Sequence, residues 1–268
     1  MDNSQLVFDM HSLYQWSLII GAVALILMAG YLAFSNREYR AYSIYLRARQ
    51  FTVLWLVAFG VGYMIHAFTG LRFFWPTAAA ALTVSYFHLG AICFCWGYIP
   101  LLKPDFFTRK IAVRDTIIYA IGLIGYWTVA MLWKETSFIT LLPTLVFFTY
   151  CACNAVVFYR IYHQVSFRLL VMSHGNVSGF VHWMQASCDI IIFFGIFLVA
   201  VTVLFPNSIS YLTPVEALLG IVLFGYIVHS LSRYGDVIAT ATEATEDVAR
   251  QSYYSPRGKE KTKRAPGA

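Results

Sequence analysis

Seven stretches of this chain are each long and apolar enough to cross a bilayer: Leu13–Phe34, Phe51–Gly70, Ala78–Leu102, Ile111–Trp133, Phe138–Tyr162, Asp189–Phe205 and Pro214–Arg233. A helix needs about 20 residues, each rising about 1.5 Å, to traverse about 30 Å of hydrocarbon. The sixth stretch is the shortest. With 59% apolar and 12% charged residues, the chain carries more hydrophobic surface than a soluble domain of about 45–50% apolar residues can bury. A helix satisfies its backbone hydrogen bonds internally, as lipid demands. None of these runs shows the period-two alternation of a lipid-facing barrel. The reading is an all-α integral membrane protein, a seven-helix bundle over residues 13–233.

Charge sets the orientation. Arg37, Arg40, Arg47 and Arg49 fall in the first gap, Lys103, Arg109, Lys110 and Arg114 in the third, and Arg160 and Arg168 in the fifth. Arg233, Arg250, Arg257, Lys259, Lys261, Lys263 and Arg264 follow the last span, and the alternate gaps hold only Arg72 and Lys134. The positive-inside rule then predicts an N-terminus outside and a C-terminus in the cytoplasm. The net charge of +6 is a topology signal, and no nucleic-acid partner is expected. Trp16, Trp75, Trp133 and Tyr211 fall where an outer aromatic belt belongs, and Trp55, Trp96, Tyr162 and Trp183 towards an inner one.

Residues 1–12 contain Asp2 and Asp9 and no positive n-region, so they read as a short outer segment before a retained anchor. The long gap at 163–188, with FRLLVM, SHGN and FVHWMQ, suits either an amphipathic segment on the membrane surface or an inward extension of two helices. Thr213-Pro214-Val215-Glu216 has the order of a capping box with proline at the first helical position. Beyond Arg233, Leu231, Tyr234, Ile238, Ala241, Thr245 and Val248 keep a heptad-like spacing over 234–250, which predicts a cytoplasmic helical extension able to pair in a homodimer. Residues 251–268 are polar, basic and broken by Pro and Gly, and read as a disordered tail.

Polar residues are costly in hydrocarbon and carry a functional hypothesis there. His66, His88, Asn154, Glu216 and His229 form the intramembrane set, with Asp115 and Asp189 near inner helix ends. Ala58, Gly62 and His66 share one helical face, so His66 is expected to point into the bundle. An outward ligand pocket bordered by His66, Tyr86, His88 and Glu216 is the candidate site, and Leu231, Tyr234 and Ile238 the candidate coupling helix. Helical rise puts His66 about 6 Å, His88 about 15 Å and His229 about 22 Å from the outer edge. That mismatch disfavours axial haem ligation. Cys93 with Cys95, and Cys151 with Cys153, lie about 200° apart around their helices, so neither pair chelates a metal unaided. No disulfide framework, metal or cofactor is expected. The sequence also lacks HExxH, GxSxG and phosphate-loop motifs and a seventh-span lysine, which argues against an enzyme and a retinal Schiff base.

On its seven-span topology, the arginine-bearing first inner loop (YLRARQFTVLWLVAF) and the helical exit after Tyr234, the chain resembles the seven-helix membrane input modules of bacterial sensor and regulator proteins. The resemblance spans residues 10–250 and implies a sensor or signalling scaffold in a bacterial inner membrane. With the sequence ending at Ala268 and holding no output domain, it further implies a separate cytoplasmic protein partner. A small transporter or channel is the alternative, and an intramembrane enzyme or haem protein follows it. Transport calls for a polar path near the midplane, and no Asp, Lys or Arg falls at mid-depth.

Overall fold

The computed structural model of the protein describes residues 3–35, 43–133, 138–172, 178–205 and 209–233. Its helices are α1 (Asn3–Phe34), α2 (Ser43–Thr69), the single turn α3 (Leu71–Phe74), α4 (Pro76–Leu102), α5 (Arg109–Leu132), α6 (Phe138–Met172), α7 (Ser178–Leu204) and α8 (Ile209–Arg233), with a 3-10 turn at Pro104–Phe106. Every helix except α3 holds a segment long and apolar enough to cross a membrane, seven in all. Among the described residues there is no strand. The protein is thus an all-helical, multi-pass membrane bundle.

Local chemistry sets several helix ends. Pro76 opens α4, where its missing N–H costs nothing. Thr108 caps α5, its Oγ1 accepting from the Ile111 N–H at 3.4 Å. Between α2 and α3, Gly70 adopts φ 60°, a left-handed conformation that side chains with a Cβ enter only at a cost.

Three expectations are corrected. The sixth span begins at Ser178 rather than Asp189, and the 163–188 gap is helical up to Met172 and again from Ser178. Burial of Phe180, Val181, Trp183 and Met184 explains this: FVHWM is a core face, so the extension wins over a surface segment. Next, α8 begins at Ile209, which places Thr213-Pro214-Val215-Glu216 inside the helix and removes the capping box. Finally, Trp55 and Trp183 are 2% and 1% exposed. They are interior side chains, whereas Trp16 at 63% and Tyr211 at 67% do sit on the surface.

The core is organised around α4. Of its most apolar stretch 83% is buried, against 22% for α5, because α2, α5, α6 and α7 all pack against it. A helix that is apolar on all sides belongs in such a central place. This also explains why Cys93 and Cys95 are both buried although they point in opposite directions. Small residues bring helices close. The Gly60 Cα faces the Ala22 backbone and the Ile26 side chain of α1, and Gly97 faces the Ala48 backbone of α2. In the middle, Trp55, Phe59, Phe87, Phe194 and Phe224 contact one another edge-on or tilted at 4.8–6.4 Å, around a cavity of about 40 Å³.

The alternate ends of the bundle differ. One holds Trp16, Arg72, Trp75 and Trp133 and is called here the Arg72 end. The other carries the arginine-rich gaps. At the Arg72 end Trp75 donates through Nε1 to the Ala130 carbonyl at 3.1 Å, pinning α4 to α5. Trp75→Phe keeps the ring and removes the donor. Loss of about 1 kcal/mol is expected, read as a lower midpoint of unfolding in detergent.

Candidate functional site

Near the Arg72 end, α2, α3, α4 and α8 bring polar side chains into one cluster. Gly21 and Gly62 make its placement possible. A Cβ on Gly21 would lie 3.0 Å from the Tyr63 ring, and one on Gly62 2.5 Å from the Tyr86 ring. The two tyrosines therefore lie flat on glycine backbone, with ring centroids 6.2 Å apart.

At the centre is Thr83, 2% exposed. Its hydroxyl donates to the Ala79 carbonyl at 2.9 Å. With that proton committed, Thr83 Oγ1 accepts from Arg72 Nη2 at 3.3 Å and from His66 Nε2 at 3.1 Å. The His66 proton is then on Nε2, which leaves Nδ1 a bare acceptor. His66 is 2% exposed, and its Nδ1 has no partner. The Arg72 Nε is likewise buried without a hydrogen bond, whereas the Tyr63 hydroxyl is directed at the Glu216 carboxylate. Glu216 of α8 faces Tyr63 and lies within electrostatic range of Arg72. Two unsatisfied buried polar atoms, His66 Nδ1 and Arg72 Nε, beside one carboxylate are costly for a packed bundle, each by about 1–3 kcal/mol, and such a cost points to a ligand or water.

The structure brings together three of the four predicted pocket residues, His66, Tyr86 and Glu216. His66 and Tyr86 rings are 6.3 Å apart. His88 goes elsewhere: it sits on another face of α4, where Nδ1 pairs with the Tyr126 hydroxyl at 3.1 Å among Tyr119, Phe147 and Tyr150. His229 is exposed on the bundle surface, and Asn154 donates to the Tyr150 carbonyl one turn back at 2.9 Å. Leu231 is fully buried, while Tyr234 and Ile238 lie outside the described residues. Arg72 was legible only as an exception to the charge pattern. One of two cations at that end, it proves to be the cluster's fixed positive group. No trio of His, Cys, Asp or Glu is placed to hold a metal ion among the described residues.

A second polar group occupies the arginine-rich half. Asp115 of α5, 0% exposed, accepts from Trp96 Nε1 at 2.8 Å through Oδ2 and from Arg114 Nε at 2.8 Å through Oδ1. Arg114 Nη2 reaches the same Oδ1 at 2.8 Å. Asp115 thus serves as a buried anchor between α4 and α5. Nearby, Tyr159 of α6 donates to Asp189 of α7.

Compared with known protein families, curated proteins and solved structures, the chain finds no match.

Proposed function

We propose that the protein is a sensor or signalling scaffold of a cell membrane, with the Arg72 end outside and the arginine-rich end in the cytoplasm. Seventeen of its nineteen Lys and Arg residues fall in the gaps assigned to the cytoplasm. The observation that carries the reading is Glu216 of α8 directed at Tyr63 of α2 and within electrostatic range of Arg72, in a cluster whose His66 Nδ1 and Arg72 Nε are buried without partners. A fixed guanidinium and a carboxylate in one such cluster suit a small zwitterion, whose anionic group would take Arg72 and whose ammonium would take Glu216. Binding there draws α8 towards α2. The other end of α8 contacts α1 through Tyr31 and Ser232 at 3.2 Å and α2 through the Tyr45 hydroxyl and the Leu231 carbonyl at 3.4 Å. A displacement of α8 is therefore felt where a cytoplasmic partner would dock. Transport is less well supported, because the aromatic layer of Phe59, Phe87, Phe194 and Phe224 lies below the cluster and offers no polar path among the described residues.

The test uses the full chain in nanodiscs and a panel of the common α-amino acids as probes, each at millimolar concentration. A ligand at a hundred times its Kd stabilises by about 2.7 kcal/mol, a rise in unfolding temperature of about 5–10 °C. At least one probe is expected to produce that rise, and Arg72→Gln and Tyr63→Phe to remove it. An unchanged midpoint across the panel, or a rise that survives Arg72→Gln, overturns the reading.

A further inference from the structure

Away from this cluster, a cleft of about 530 Å³ runs along the bundle surface between α5 and α6. It has the size of a ligand site, about 300–1,000 Å³, and its two ends are chemically different. Ile118, Leu145, Val146 and Val157 give it apolar walls, and Arg114 stands with Asn154 at its polar part. Arg114 is 55% exposed, yet its guanidinium is fixed: Nε and Nη2 both hold Asp115 Oδ1, and Trp96 holds Oδ2. The buried carboxylate therefore holds the planar cation in one orientation at the cleft it lines, using Nε and Nη2 and leaving the Nη1 donors for an anion. Arg109 and Lys110, exposed on the first turn of the same helix, outnumber the one nearby acid, Asp105, and leave net positive charge at that membrane boundary.

We propose that this cleft binds one acidic phospholipid from the surrounding leaflet, with an acyl chain along Ile118, Leu145 and Val146 and the phosphate on Arg114. The choice of occupant follows from charge and phase. The apolar walls face hydrocarbon, where a chain is already present at high concentration. Basic pockets between membrane helices select anionic headgroups, and a pre-oriented guanidinium pairs with phosphate oxygens by charge-assisted hydrogen bonds. A zwitterionic lipid offers the same chain but brings its own cation to the arginine cluster, so it is held less well.

Native mass spectrometry of the full chain released from nanodiscs of equimolar phosphatidylglycerol and phosphatidylcholine tests this directly. One phosphatidylglycerol is expected to be retained over phosphatidylcholine by about tenfold, the factor one charge-assisted hydrogen bond supplies. Arg114→Gln is expected to bring the two lipids to equal retention, and Arg114→Lys to keep part of the preference. Val146→Trp, which fills the cleft without touching charge, is expected to release both lipids. Equal retention by the wild-type chain overturns the proposal, as does a preference that survives Arg114→Gln. Retention that survives Val146→Trp places the lipid elsewhere and overturns it too. Displacement by millimolar glycerol phosphate would show a free-phosphate site with no use for the chain, and would count against it equally.

Discussion

Asp115→Ala is expected to destabilise the protein by about 2–3 kcal/mol. The carboxylate is wholly buried and serves two helices at once, taking the Trp96 indole N–H of α4 and the Arg114 guanidinium of α5. Removing it strands the indole donor, at about 1–3 kcal/mol for an unsatisfied buried group, and opens a small void. A fully buried ion pair broken in this way loses about 3–5 kcal/mol. Here the loss is smaller, because half-exposed Arg114 can turn towards headgroups. Asp115→Asn keeps an acceptor for Trp96 but presents an amide N–H to Arg114 in place of the second acceptor, so it should lose about half as much. Unfolding in graded denaturing detergent measures both, and an Asn variant as unstable as the Ala variant would show that the acceptor kept for Trp96 contributes nothing.

The second large effect is expected at Gly97. A Cβ there would meet the Ala48 Cα at 3.2 Å, the Ala48 carbonyl oxygen at 3.4 Å and the Phe51 Cβ at 3.4 Å. Two of those atoms are backbone, so the contact cannot be relieved by a rotamer change. The helices must move apart. Gly97→Val is expected to cost about 2–3 kcal/mol, near the upper range for overpacking, and to loosen α2 from α4 as a unit. Gly30 provides the contrast, since nothing lies within 4 Å of its would-be Cβ. Gly30→Ala should be neutral or stabilising by up to about 1 kcal/mol through helix propensity. The same denaturation experiment reads the pair, and similar losses at both positions would refute a role for close approach.

The seven spans were legible because crossing hydrocarbon leaves a signal in composition and length that no tertiary contact can erase. Interior detail left weaker traces. FVHWM carried the apolar residues of a helix face, but the SHGN punctuation before it invited a later start for the sixth span. Thr213-Pro214 had the order of a helix start, yet α8 already runs from Ile209. A bundle tolerates the one carbonyl that Pro214 leaves unserved. Once the box is gone, Glu216 has no local duty and its approach to Tyr63 becomes informative. His66 could be aimed from the small residues on its own helix face. His88 could not be aimed, because α4 is surrounded and every face of it points inward. Arg72 could be read only as an exception to the charge pattern, and Asp115 only as an acid near an inner helix end. The partners they find on α4, Thr83 and Trp96, follow from packing that no spacing in the sequence reveals.

The place of α4 bears on how the chain is assembled. Its neighbours include α2, made before it, and α5, α6 and α7, made after it. A nascent chain that has released α4 from the ribosome holds the face with Ser85 and His88, which meets Tyr119 and Tyr126 of α5, against lipid until the downstream crossings arrive. Chains interrupted before α7 should therefore present α4 to membrane proteases, and pulse-labelled truncations ending after α5 should decay faster than the full-length product.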